Sequence, residues 1–436
     1  MKTANVLKMM TGVLVAGLAW CATADAPVIS DVVVRQRWPW SRLVDIDYVL
    51  EGDPANKMDI QVTAKDGSVP LDLPPDSLSG HLYEVTPGPR RIIFDPTQTV
   101  YTNNQMLARF SVTLTPTPVP LYMIVDLTLA PGADGQIEYV YEEDLTNGLW
   151  GAWARNPVTN DGQVIESVVW TGVTTNDIYK TDKLVLRRVP AGSYTMGGQG
   201  YTQYAVTLTQ GMYAGVFEVT QRQWNHVMGT TGGTAAQAKH SVSYNDIRGA
   251  TNSALAIDWP TTGRAVAPDS FLGKLREKTG ITDFDLPTEA QWEYLCRAGT
   301  TTAFNDGNAD AKYSGGEENN NGNTNKYLNA LGWYKFSAPT PPTAVMPVGG
   351  KRPNAWGLYD THGNVWEWCL DRYGANPETG TDPDGPGSET GIVNRTFRGG
   401  GWGSIGAKCR PTARTGVVPT YKYDGGIGFR IVRTLP

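Results

Sequence analysis

The chain has 436 residues, a formal net charge of −6, 40% hydrophobic and only 18% charged residues, with 49 glycines and 29 prolines. Its hydrophobic content supports packed cores and excludes a disordered chain, and the length predicts two or three domains. The acidic balance and the lack of any Lys/Arg run exclude a nucleic-acid-binding face, because phosphate contacts need clustered basic residues.

Residues 1–24 read as an export signal. Lys2 and Lys8 accompany the apolar run Met9–Trp20, which is too short to span a bilayer, and Ala22-Thr23-Ala24 is a small-x-small cleavage pattern. The mature chain is expected to start near Asp25 and to be periplasmic, secreted or at the cell surface. Trp20 stands where a lipobox places a small residue before Cys21, which argues against a lipoprotein. No later segment is long and apolar enough to cross a membrane. Cleavage leaves Cys296, Cys369 and Cys409, which allow at most one intrachain disulfide.

Residues 25–115 predict an all-β, immunoglobulin-like sandwich. Val32–Val34, Val44–Tyr48, Met58–Val62 and Arg109–Leu114 are β-branched or alternating runs, and Gly52-Asp53-Pro54, Asp66-Gly67 and Pro87-Gly88-Pro89 separate them. Pro116, Pro118 and Pro120 make 116–120 a stiff linker. Residues 121–182 read as a small β subdomain, with a strand at Tyr122–Leu127 and turns at Asp134-Gly135 and Asn147-Gly148.

From Lys183 the chain is rich in Trp and Gly. Three short helices have clear ends. Thr220 with Gln223 forms a capping box before Trp224, Val227 and Met228, and Gly229 stops that helix. Pro268 opens the second, with Phe271, Leu272 and Leu275 inward and Gly280 at its end. Thr288 with Gln291 opens the third, with Trp292, Leu295 and Cys296 on one face and Gly299 after it. Asn319–Asn323 reads as a polar surface loop.

An ordered series of motifs runs through 183–436: Pro190 to Gly197, Phe217 to Thr220, Leu286 to Tyr294, Asn354 to Asp360, Gly363 to Trp368, Arg398 to Trp402, and Gly428 to Arg430. In this order they resemble the formylglycine-generating enzyme, or sulfatase-modifying factor, family. The resemblance implies an α+β fold, related to C-type lectins, with little regular secondary structure. It covers nothing before about residue 183.

Active members of that family use two cysteines after the Gly-rich motif to bind copper and oxidise a substrate cysteine. Here Ser404 stands at the first cysteine position, and no cysteine follows before Cys409. A serine hydroxyl is a poor ligand for Cu(I), so copper is not expected. Asp285 stands where the family usually has an arginine. His81, His226, His240 and His362 are scattered, as surface or capping residues would be, and show no metal-site spacing.

The resemblance further implies a Ca2+ loop, with carboxylates from Asp360 and Glu367 and carbonyls from Gly363 and Val365, a ligand chemistry that suits calcium. It implies a disulfide between Cys296 and Cys409, leaving Cys369 unpaired. It also implies a surface groove near Trp402, Ser404, Arg410 and Arg414, residue types that suit recognition. The expectation is an exported member of the family that lacks oxidase activity and binds a peptide, protein or glycan ligand. The alternative is a formylglycine-generating oxidase acting on a sulfatase cysteine.

Overall fold

The computed structural model describes residues 26–435 apart from 55, 72, 74–76, 100–105, 156, 161–162, 166, 199–201, 250–264, 308–326, 338, 385–393 and 423–424. The expected export signal, Trp259 and the Asn319–Asn323 loop lie outside the described residues. The described chain divides into two compact units, one built from residues up to Thr117 and the other from Pro118 onward, with 74–78 assigned to the second. No helix among the described residues is long and apolar enough to cross a membrane.

The first unit holds two small sheets and a 3-10 turn at Pro96–Gln98. One sheet has the order β1 (Val28–Gln36), β2 (Val44–Glu51), β6 (Gly88–Phe94), β5 (Leu78–Gly80). The other has the order β4 (Val69–Pro70), β3 (Met58–Asp66), β7 (Phe110–Pro118). β2 is antiparallel to both β1 and β6. Val44, Ile46, Tyr48 and Leu50 recur at every second position of β2, and all four are buried. The proline stretch read as a linker differs from expectation at its start. Thr115 to Pro118 continue β7, an edge strand on which a missing N–H costs no ladder bond.

The second unit is organised on a six-stranded sheet. Its order is β18 (Phe284–Asp285), β24 (Val432–Thr434), β17 (Met212–Gly215), β14 (Lys183–Val189), β8 (Tyr122–Asp126), β9 (Ile137–Val140). The 121–182 stretch therefore supplies two strands of the sheet that 183 onward completes. It also carries α1 (Glu142–Thr146), α2 (Ile178–Thr181) and two short ladders, β10 (Ala154–Arg155) with β13 (Val168–Val169) and β11 (Val158–Asn160) with β12 (Gln163–Ile165). Tyr122 and Ile124 of β8 join Trp170, Phe217, Tyr359 and Val365 in one core cluster.

Two further sheets hold the Gly-rich motifs. The hairpin β15 (Gly192–Gly197) and β16 (Gln203–Leu208) pairs with β20 (Gly380–Thr381). β22 (Arg414–Val417), β21 (Arg395–Arg398), β19 (Trp366–Arg372) and β23 (Ile427–Gly428) form the last sheet in that order.

The helices follow their caps. α3 (Gln221–Met228) begins with the Thr220–Gln223 capping box and ends at Gly229 in the left-handed region. α4 (Tyr244–Arg248), which the periodicity reading missed for its shortness, is closed by a Ser243–Asp246 box. α5 (Phe271–Thr279) starts later than the proline suggested, because the Ser270 side chain accepts the Gly273 N–H and sets the cap. α6 (Glu289–Arg297) has the Thr288–Gln291 box, but its left-handed C-cap is Ala298 at φ 46°, one residue before Gly299.

Candidate functional site

The Gly400–Cys409 segment carries the positions on which oxidase chemistry would depend. Ser404 closes a tight turn. Its Oγ accepts the Gly401 N–H at 3.0 Å, and its own N–H donates to Gly401 O at 2.8 Å. The hydroxyl is thus a structural acceptor within the turn. Cys409 is fully buried, and its Sγ donates to Ile405 O at 3.7 Å. Gly400 sits at φ +73°, and a Cβ there would stand 2.6 Å from Cys409 Sγ, so this crossing admits glycine alone.

The Cys296–Cys409 bridge is not formed in this structure. Both are buried thiols, and Cys296 Sγ donates to Thr361 O at 3.5 Å. His362, fully buried rather than at the surface, stands between them. Its Nε2 accepts the Asn305 N–H at 3.2 Å, which leaves the proton on Nδ1 to donate to Cys409 O at 2.7 Å, while Cys296 Sγ lies 3.9 Å from Nδ1. Burial holds the imidazole down to about 4, so it is neutral at physiological pH. Burial also pushes the Cys296 thiol up to about 12 and Cys369 well above its ordinary value. Cys369 packs with Trp292 and Cys296. Buried thiols of this kind are poor nucleophiles.

The expected calcium ligands converge only in part. Asp360 is buried in the left-handed region at φ 59°; its Oδ2 accepts the Gly349 N–H at 2.6 Å and its Oδ1 has no partner. Glu367 is turned to a different cation. Its Oε1 accepts Arg430 Nη2 at 2.9 Å, and its Oε2 accepts Arg430 Nε at 3.2 Å and Trp292 Nε1 at 2.8 Å. Glu218, nearby, accepts the Val365 N–H at 3.0 Å and Asn364 Nδ2 at 2.6 Å. Burial, and then the charges of Asp360 and Glu367, push Glu218 well above its ordinary value, while burial pushes Asp360 up to about 6. Gly363, at φ +108°, packs against Trp333 O where a side chain would clash.

Arg430 and the Trp292 N–H thus occupy the Glu367 carboxylate and compete there with calcium, which takes six to eight oxygens. Among the described residues no group of three or more His, Cys, Asp or Glu is placed to hold a metal. Melting in excess EGTA is expected to match melting in calcium to about 1 °C, because only a ligand that binds the folded state shifts the midpoint. A drop of several degrees on chelation would reinstate the calcium loop.

Of the expected groove residues, Trp402 and Arg414 make contacts within the protein. Trp402 packs on the core cluster of Tyr359 and Val365, and its backbone N–H donates to Asn364 O at 2.7 Å. Arg410 is half-buried. Arg414 turns to α6, giving Nε to Glu289 Oε1 at 2.6 Å and Nη2 to Glu289 Oε2 at 2.8 Å. There it joins a buried charge network that the sequence reading did not single out. Arg398, 1% exposed, lies 2.8 Å from Glu289 and 3.1 Å from Glu293, and Arg297 holds the other Glu293 oxygen at 2.7 Å. Glu289, Glu293 and Arg297 recur every fourth residue, and that one-faced spacing is the signal for it. Burial alone would raise Glu289, but Arg398 and Arg414 outweigh it and hold the carboxyl below its ordinary range.

Beside this network lies a cavity of about 250 Å³, lined by Tyr204, Glu293, Tyr373, Arg398, Thr412 and Arg414 among others.

Comparison with known proteins gives a consistent result. The profile of the sulfatase-modifying factor enzyme 1-like domain family matches residues 174–435. A formylglycine-generating enzyme of Streptomyces coelicolor is 36% identical over 154 residues, 33% of this chain and 45% of that enzyme. The inactive C-alpha-formylglycine-generating enzyme 2 of Bos taurus is 32% identical over 155 residues, 33% of this chain and 42% of that protein. The chaperone protein LppX of Paenibacillus barcinonensis is 27% identical over 257 residues, 52% of this chain and 81% of that protein. The matches thus span less than half of the Streptomyces and bovine proteins. Among solved structures, PvdO from Pseudomonas aeruginosa aligns at a TM-score of 0.44 and 22% identity, covering 58% of this chain and 95% of that one.

Proposed function

This chain belongs to the sulfatase-modifying factor enzyme 1-like family, and from that premise we propose that it is an exported member without oxidase activity that acts as a ligand-binding module. One observation carries the reading. The first cysteine position of the resemblance is Ser404, whose hydroxyl is folded into the Gly401–Ser404 turn, and the next cysteine, Cys409, is buried with its thiol directed to Ile405 O. Copper activation of oxygen needs soft thiolate ligands, and this segment offers a hydroxyl and a buried thiol. The two small sheets of the first unit support the reading of an immunoglobulin-like accessory domain. The similarity of this chain to both formylglycine-generating enzymes and a protein named as an inactive one supports a fold that serves with and without the chemistry.

The test is a peptide containing Cys-x-Pro-x-Arg, incubated with copper-loaded protein, reductant and oxygen, and read by mass spectrometry. No aldehyde above a metal-free control is expected. Repeated turnover would replace this reading with the oxidase one.

A further inference from the structure

We propose that the cavity between the β15–β16 hairpin and the Tyr373–Pro377 segment binds a small organic carboxylate. Its volume, about 250 Å³, is at the small end of ligand pockets and suits a compact acid with one ring. Tyr204 and Tyr373 supply aromatic walls, and Arg398 and Arg414 line it together with Glu293. Aromatic walls with a few convergent polar groups are what such sites present.

The guanidiniums of Arg398 and Arg414 in the cavity lining argue for an anion. Three guanidiniums, those of Arg297, Arg398 and Arg414, meet two carboxylates, Glu289 and Glu293. The third carboxyl of the cluster, Asp371, accepts the Glu289 N–H at 2.6 Å. Burial and then the Glu289 charge push it above its ordinary range, against the lowering effect of that hydrogen bond and of Arg398. Arg414 gives its Nε, one Nη2 hydrogen and both Nη1 hydrogens to Glu289, Gly374 O and Ala375 O. Its second Nη2 hydrogen has no partner among the described residues, and its guanidinium lies over the Tyr373 ring at 4.7 Å. A carboxylate beside Arg414, with its apolar body against the tyrosines, satisfies that donor.

The hairpin wall is held in place by the same network. Glu293 Oε1 accepts the Gly197 N–H at 2.8 Å, and Arg297 Nη2 donates to Gly197 O at 2.7 Å. The site is thus preorganised, which lowers the entropy lost on binding.

This inference deepens the binding reading, but at a place whose lining includes neither Ser404 nor Trp402. The two fail separately: aldehyde formation would overturn the first alone, and a cavity indifferent to carboxylates would overturn the second alone. The carboxylate can come from a free acid or from a peptide C-terminus, and the probes separate them. The full chain is titrated calorimetrically with benzoate, 3-phenylpropionate, benzylamine, and the peptide Gly-Gly-Phe with a free or an amidated C-terminus. Binding of the free acids, or of the free but not the amidated peptide, with none for benzylamine, is expected.

Asn376 is exposed at the cavity mouth, so Asn376→Asp and Asn376→Lys will fold. The aspartate is expected to weaken carboxylate binding about tenfold and the lysine to strengthen it, by like and opposite charge. Tyr373→Ala is a second variant, expected to weaken binding about tenfold through loss of a wall. No binding by any carboxylate, or binding that neither Asn376→Asp nor Tyr373→Ala alters, would overturn the proposal.

Discussion

Replacing Arg398 with methionine is expected to destabilise the C-terminal unit by about 3–5 kcal/mol, lowering its melting midpoint by roughly 10 °C. Arg398 is 1% exposed and bridges two carboxylates, Glu289 and Glu293, that are themselves no more than 2% exposed. A methionine fills similar space but leaves the two acids with only Arg414 and Arg297 to balance them. Removing one partner of a buried pair is far costlier than removing both. The triple variant with Glu289→Gln and Glu293→Gln is therefore expected to recover part of the loss. The acid limb carries the same signature. Because Glu289 is held below its ordinary range, the unfolded chain binds more protons as pH falls. Its stabilising contribution is thus complete above the ordinary carboxylate range and fades as pH drops through the folded value. A midpoint within about 2 °C of the native protein would show that the network contributes little.

The Glu367–Arg430 pair is expected to respond asymmetrically. Arg430→Met removes the cation from a buried neighbourhood of three acids, Glu367, Glu218 and Asp360, and the expected loss is again about 3–5 kcal/mol. Glu367→Leu leaves Arg430 with Glu218 and Asp360, two carboxyls otherwise raised above their ordinary values and able to ionise beside it. The expected loss is smaller, about 2 kcal/mol, most of it from the stranded Trp292 N–H. Chemical denaturation of the two variants reads the difference. A larger loss for Glu367→Leu would contradict the view that Arg430 is the resident cation of this cluster.

How much of this was legible in the sequence follows from how local each signal is. The Thr220 and Thr288 capping boxes are contained within four residues, and both helices begin where they predict. Helix ends were misplaced by a residue or two, because Ser270 rather than Pro268 captures an N–H and Ala298 adopts the left-handed turn before Gly299. The proline stretch read as a linker because proline breaks ladders, yet its first half lies on an edge strand that tolerates it.

Site geometry was the least legible part. The resemblance implies a calcium loop at Asp360 and Glu367, but which cation faces Glu367 depends on Arg430, 63 residues further on. Arg414 reads as a free recognition residue until α6 brings Glu289, 125 residues earlier, against it. The position of Ser404 was readable from the motif itself; the role of its hydroxyl in closing the turn was not.

The most direct measurement of the central claim is a Cu(I) titration of the full chain against a competing chelator under reducing conditions. A family oxidase site would hold the ion through two thiolates. Here the Ser404 hydroxyl closes its own turn and Cys409 is buried behind Gly400, so the expected affinity is no better than that of an unrelated protein, and unchanged in Cys409→Ser. Tight stoichiometric binding that Cys409→Ser or Cys369→Ser abolishes would contradict the account.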